Sequence, residues 1–256
     1  VTALLSTQDV RKKFAGIVAL DGVALTVEAG ERVGLIGPNG AGKTTFFNCI
    51  LGMQRLDDGT IELDGRDISG LRVHQRARLG IGRTFQRIEL FPDSTVRDHL
   101  VIADRVQRRD RAFWRDIVLR GRPRPEEVRR SDEMLELLGL LDLSDEPIER
   151  LSLGQGRLVE VARALMTRPR LLLLDEPSSG LDRAETASLA TTLREVQEHQ
   201  GFAILLVEHD IELVASFTTR AYLLDFGRML RSGSTAEVMA SSEMRHAYLG
   251  DLEVPA

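Results

Sequence analysis

Gly37-Pro38-Asn39-Gly40-Ala41-Gly42-Lys43-Thr44-Thr45 follows the apolar run Arg32-Val33-Gly34-Leu35-Ile36 and precedes Phe46, Phe47, Ile50 and Leu51 at helical spacing. The pattern G-x-x-x-x-G-K-T between a buried strand and a helix is the phosphate-binding P-loop. Glycines let the backbone curl until several N–H groups converge, and the following helix adds the positive end of its dipole. Asn39, Gly40, Ala41, Gly42, Lys43, Thr44 and Thr45 are the expected phosphate cradle. Within it, Lys43 is expected to reach the β- and γ-phosphates and the Thr44 hydroxyl to ligate Mg²⁺.

Composition bounds the rest. The 256 residues are 43% hydrophobic and 29% charged, which suits one large domain or one domain carrying an inserted lobe. The longest apolar runs, Leu171–Leu174 and Phe202–Val207, fall far short of a membrane span, so any membrane role runs through a partner. The single cysteine, Cys49, lies on the apolar helix after the P-loop; packing is the expected role and a reducing compartment the simplest setting. The net charge of −5 speaks against a protein held to nucleic acid by bulk electrostatics.

Upstream, Leu4–Phe14 and Val23–Glu28 read as strands, with Asp21-Gly22 as the turn signal before the second. Two hairpin-like strands ahead of a parallel core predict a small antiparallel layer attached to an α/β body. Phe14 reads as an ordinary core phenylalanine, with base stacking as the alternative. Downstream come a strand at Gly59–Gly65, a basic helix at Arg72–Leu79 and a strand from Gly80 that ends at Gln86. Val96–Val106 and Glu126–Leu141 read as amphipathic helices, the second with Met134, Leu135, Leu138 and Leu141 on one stripe. Residues 101–130 hold ten arginines against five acids, together with Phe113 and Trp114. A solvated face of a helical lobe is the expectation there, a docking surface for a partner or anionic lipid the alternative.

The second half carries three more signals. Leu151-Ser152-Leu153-Gly154-Gln155-Gly156-Arg157 opens a helix with Leu158, Val161, Ala162 and Leu165 on one face, giving either a second anion-binding end or a simple N-cap. Leu171–Leu174 reads as a fully buried strand that ends in Asp175-Glu176, where open α/β sheets bind ligands. Asp175 can hold a Mg²⁺ shell and Glu176 can poise a water at the γ-phosphate. After Ser178–Asp182 and a helix from about Ala184 to Gln200, the strand Ala203–Val207 ends in Glu208-His209-Asp210. His209 is placed to bond a γ-phosphate; His74, His99, His199 and His246 read as surface residues.

The order of these segments resembles the ATP-binding subunit of an ABC transporter over nearly the whole length. Phe14–Asp21, Ala77–Gln86, Val207–Asp210 and Ala247-Tyr248-Leu249-Gly250 are most similar to the branched-chain amino-acid importer group. The resemblance implies an α/β fold: a P-loop NTPase (RecA-like) core with a small antiparallel β subdomain and an inserted α-helical subdomain. The single domain 1–256 would draw its core and β subdomain from 1–86 and 163–256, and its helical subdomain from about 87–162. It implies ATP hydrolysis with Mg²⁺. Phe14 would stack on adenine, Gln86 would sense the nucleotide and touch the metal, and Glu176 would be the general base, with His209 and Lys43 stabilising charge. Ser152, Gly154, Gln155 and Asp182 would meet the nucleotide held by a second ABC ATPase subunit, identical or not. Permease subunits and, indirectly, a solute-binding protein complete the implied partners, without nucleic acid, at the cytoplasmic face of the inner membrane. Urea or amide uptake, lipid export and a soluble ABC ATPase are the rival readings. The chain departs from the commonest signature with Leu153 in place of Gly and Gly156 in place of Gln or Arg.

Overall fold

The structure, a computed structural model, describes residues 3–84, 94–108 and 123–249. The chain folds as two compact units. The first takes in Val1–Ile81, Arg170–Glu176 and Gly201–Ala256; the second takes in Gly82–Pro169 and Pro177–Gln200.

The first unit has two sheets. One is antiparallel and ordered β2-β1-β4-β5, from β1 (Leu5–Phe14), β2 (Ile17–Val27), β4 (Asp58–Leu63) and β5 (Arg66–Asp67). The other orders β10 (Arg228–Ser234), β9 (Arg220–Asp225), β3 (Arg32–Ile36), β8 (Ala203–Val207) and β7 (Leu171–Asp175). Strands β9, β3, β8 and β7 run parallel, and β10 pairs antiparallel at one side. Ile81 opens β6 (Ile81–Arg83), by which the chain leaves this unit. Every residue of β7 and β8 is buried, the signature of strands covered on both faces. One core joins Leu5, Val10 and Leu20 of the antiparallel sheet to Leu35, Leu173 and Leu205 of the parallel one. Phe46, Phe47 and Ile50 of α1 (Lys43–Leu51) fill it.

The hairpin departs from its sequence reading. Strand β2 runs unbroken through Asp21-Gly22, and the turn lies at Ala15-Gly16, both with positive φ. Asp21-Gly22 sits where the β1–β2 register shifts, between the pairs Val10–Val23 and Arg11–Asp21. The Arg11–Asp21 ion pair of 2.5 Å holds that bulge, so the polar dipeptide serves pairing rather than reversal.

Helix α2 (Val73–Arg78) carries a buried arginine. Arg76 donates to the carbonyls of Cys49 (2.7 Å) and Ile50 (2.8 Å), and also to those of Ser69 and Leu71. It thereby satisfies the last turn of α1 and places a cation at that helix's negative end. Cys49 packs in the core as expected, and burial pushes its thiol up to about 11.

The second unit is helical: α3 (Val96–Arg108), α4 (Pro125–Leu137), α5 (Leu153–Met166) and α6 (Arg183–Gln200). Val96, Leu100, Met134, Leu135, Val161 and Leu165 are buried. Helix α4 ends earlier than its apolar stripe suggests, because Gly139 turns the chain with φ 67°. Leu141 then falls in a 3₁₀ turn and is 38% exposed rather than part of the stripe.

The arginines of 101–130 and His99 bear on two further expectations. Arg105 is buried and bonds Glu127 through two nitrogens, at 2.9 and 2.7 Å; Arg130 and Arg108 both hold Asp104. Arg105 and Arg130 thus face into the unit, whereas Arg108, Arg124 and Arg129 are exposed and the other five arginines of 101–130 lie outside the described residues. Phe113 and Trp114 lie outside the described residues, as does Gln86. His99, read as a surface residue, is 1% exposed with Nδ1 2.9 Å from the Thr95 carbonyl. Burial lowers its pKa, a change that Arg163 reinforces and the Thr95 bond opposes.

Candidate active site

In the first unit the loop between β3 and α1 is shaped by close backbone approaches. A Cβ on Gly37 would fall on the Leu224 carbonyl oxygen, and one on Gly42 would stand 2.6 Å from the Ala19 carbonyl. Gly42 also takes φ 106°, a value other residues rarely adopt. The Ala41 carbonyl accepts from the Gly227 N–H at 2.9 Å, so the β9–β10 turn braces the loop. Helix α1 starts at Lys43 with no side-chain cap, leaving its first N–H groups for whatever the loop holds.

Lys43 is only 6% exposed. Its Nζ donates to the carbonyls of Gly37 (2.6 Å) and Pro38 (3.0 Å). Burial lowers its pKa, and the carboxylates of Glu176, Asp175 and Glu208 pull it back up. One buried cation thus feels three acids from two strand ends. Thr44 is exposed and Thr45 half-buried at the start of α1.

Asp175 closes β7 and is buried; Glu176 follows with φ 46°, a left-handed backbone in a residue with a side chain. Its N–H donates to Val207 at 2.9 Å, which anchors the turn to the end of β8. Such a conformation costs on the order of 1 kcal/mol and clusters at functional sites. His209 Nδ1 lies 3.9 Å from Glu176 Oε1 and 3.7 Å from Glu208 Oε2. Asp210 caps α7 (Ile211–Phe217) by accepting from Leu213 N–H.

Glu208 carries a role not expected from its sequence context. It is fully buried and accepts from the N–H groups of His209 (3.1 Å) and Asp210 (3.3 Å), fixing the turn that presents the histidine. The available signal was a run of three polar residues directly after a five-residue apolar strand. Phe14 is no core residue: it ends β1, 41% exposed, with the Lys12 ammonium 5.3 Å from its ring centroid.

In the second unit Ser152 starts α5 with a capping box: its Oγ accepts from Gln155 N–H at 3.2 Å, and Gln155 Oε1 accepts from Ser152 N–H at 2.8 Å. Asp182 and Glu185 reciprocate in the same way at α6. The two helix starts are neighbours within this unit. Arg157 donates to the Ser179 carbonyl at 3.2 Å, and a Cβ on Gly180 would stand 2.8 Å from Leu153 Cδ2. Leu153 thus occupies the space that Gly180 leaves open.

The donor set fits a nucleoside triphosphate: an open helix start, a buried ammonium and acids set at strand ends. Among the described residues no group of three or more His, Cys, Asp and Glu side chains is arranged to hold a metal. Thr44 and Asp175 supply two oxygen donors, which fits a Mg²⁺ whose shell phosphates and water complete.

A family model for ABC transporters matches residues 20–179. The chain belongs to the ABC transporter family. This ABC protein is 38% identical over 250 residues to the high-affinity branched-chain amino acid transport ATP-binding protein LivG of Salmonella typhimurium, covering 97% of this chain and 98% of LivG. It is 35% identical to the corresponding protein BraF of Pseudomonas aeruginosa, covering 97% and 98%. Among solved structures it resembles the ADP conformation of MJ1267, an ATP-binding cassette of an ABC transporter. There the TM-score is 0.87 at 28% identity, covering 98% of this chain and 100% of that one. The α/β P-loop architecture expected from the sequence is the fold of these ABC cassettes.

Proposed function

We propose that this ABC ATPase powers an importer of branched-chain amino acids, sitting peripherally on the cytoplasmic face of the cell membrane. LivG and BraF carry that cargo in their names and align over almost their whole length. Urea or amide uptake and lipid export are not favoured. Among the described residues no helix is long and apolar enough to cross a membrane, so in this reading separate permease subunits form the path. In this reading residues 1–86 and 163–256 would serve as RecA-like core and β subdomain and about 87–162 as the helical subdomain, although Arg183–Gln200 groups with the helical unit, whose segments are Gly82–Pro169 and Pro177–Gln200.

The observation that carries the chemistry is Lys43, buried under its loop and within the field of Asp175, Glu176 and Glu208. Its present partners are neutral carbonyls; phosphate oxygens are stronger ones, so Lys43 exchanges them for the β- and γ-phosphates when ATP binds. Asn39–Thr45 cradle those phosphates, and the exposed face of Phe14 stacks on the base. Thr44 and Asp175, with Gln86, would hold Mg²⁺, which when bound would supply charge neutralisation to the phosphate oxygens. Glu176 orients the attacking water and takes its proton, while His209, whose Nδ1 lies 3.9 and 3.7 Å from two carboxylates, donates to the γ-phosphate.

Ser152, Gly154, Gln155 and Asp182 complete the site of a second ABC ATPase subunit, so that each nucleotide is shared by two chains. Nucleotide binding then favours the closed pair, and hydrolysis releases it. The test is Glu176→Gln. It is expected to keep MgATP affinity, lose at least about 100-fold in turnover and accumulate as a nucleotide-bound dimer in size-exclusion chromatography. Wild-type turnover in this variant would remove Glu176 from the role of base.

A further inference from the structure

The terminal stretch that includes Tyr248 has no part in this chemistry, yet Tyr248 reaches the phosphate loop. It lies on α9 (Ser242–Leu249), the helix after α8 (Thr235–Met239). Its hydroxyl accepts a hydrogen bond from the Gly37 N–H at 3.0 Å, across 211 positions of sequence. Gly37 is buried, and its carbonyl is the one to which Lys43 Nζ donates at 2.6 Å. Both polar groups of this residue are therefore taken, one by Lys43 and the other by Tyr248.

The tether is firm at its own end. Met244 is buried, its N–H donates to Ser241 Oγ at 3.2 Å, and that hydroxyl donates to the Val238 carbonyl at 2.7 Å. Burial raises the Tyr248 phenol above its ordinary range, so the neutral hydroxyl, with lone pairs to accept, is the form present near neutral pH. Beyond Gly37 the loop is less confined. Pro38, Asn39 and Gly40 line an open cavity of about 380 Å³ with Phe226 and His246. The loop's first residue, by contrast, is pinned at both of its polar groups.

We infer that Tyr248 is a positioning residue which holds Gly37, and through it the resting place of Lys43, in the shape that receives nucleotide. The inference rests on reading the loop as the nucleotide site. Tyr248→Phe removes the hydroxyl and keeps the ring. In the full-length chain it is expected to weaken binding of a fluorescent ATP analogue by about fivefold and to raise KM for ATP similarly. Turnover at saturation should stay within about twofold. Without nucleotide, amide hydrogen exchange at Gly37 should quicken relative to the β3 amides. Unchanged affinity together with unchanged Gly37 exchange, even with a lowered melting temperature, would overturn the positioning role and leave a packing one. Should the variant fail to fold, exchange in the wild-type chain decides: a Gly37 amide as slow as those of β3 supports the tie, and a fast one ends it. Lys43→Ala separates the two claims. If neither wild type nor Lys43→Ala distinguishes nucleotide from buffer, the nucleotide reading falls, whereas slow Gly37 exchange still upholds the tether.

Discussion

Helices α1 and α5 both begin at small residues, but their first turns are finished in opposite ways. At α5, Ser152 and Gln155 satisfy each other locally, and Asp182 with Glu185 does the same at α6. At α1 no side chain caps the start; bracing comes from the distant Gly227 and Tyr248, and charge from strand ends far away in sequence. The buried cations divide in the same way. Arg105 is locked by two oxygens of Glu127, whereas Lys43 rests on neutral carbonyls. A cation held by neutral carbonyls can exchange them for a stronger, charged acceptor. A site that completes itself locally can join a ligand only by surrendering a bond it already has.

That contrast can be broken from the helical unit first. Arg105→Ala leaves Glu127 buried beside an absent partner, and should cost about 3 kcal/mol in denaturant unfolding. ATP affinity should not change, because Arg105 belongs to the scaffold; a parallel loss of affinity would erase the distinction between the two cations. Next in size is Ser152→Ala, which removes an N-cap worth about 1 kcal/mol. If the hydroxyl serves only its own helix, ATPase activity should survive in proportion to folded protein. If it serves a second chain's nucleotide, turnover should vanish. Mixed dimers with Lys43→Ala should then recover part of the activity, since one of the two shared sites is intact; full activity in Ser152→Ala alone would confine Ser152 to capping.

The smallest effect is acid sensitivity at His99. Its folded pKa lies below the ordinary 6.5, so between those two values the unfolded chain binds the extra proton and stability falls as pH falls. The melting temperature of wild type should therefore drop more steeply from about pH 7.5 to about pH 5.5 than that of His99→Gln. Parallel curves would mean that the buried imidazole does not report on this unit's stability.

Legibility in the sequence followed the same divide. The phosphate loop, the strand ending in Asp175-Glu176 and the Ser152 N-cap were readable because each is written in consecutive residues. His99 was not, since a polar residue within an amphipathic helix reads as outward-facing until its neighbours are known. Asp21-Gly22 read as a turn because the dipeptide favours one; the Arg11 pair that makes it a bulge lies on the other strand. Glu208 and Arg76 were overlooked for a related reason. Each satisfies backbone groups that only the tertiary fold brings into reach, and no local pattern marks a charge that works facing inward.

The thiol on the buried face of α1 has a practical consequence. With its pKa near 11, only roughly one Cys49 in ten thousand is a thiolate at pH 7, and its sulfur lies inside the core. Maleimide probes should therefore ignore the native chain. A cysteine introduced at an exposed position such as Asp142 can then carry a fluorophore without first stripping the protein of its own sulfur, giving a ready label for following association with a second ABC ATPase subunit.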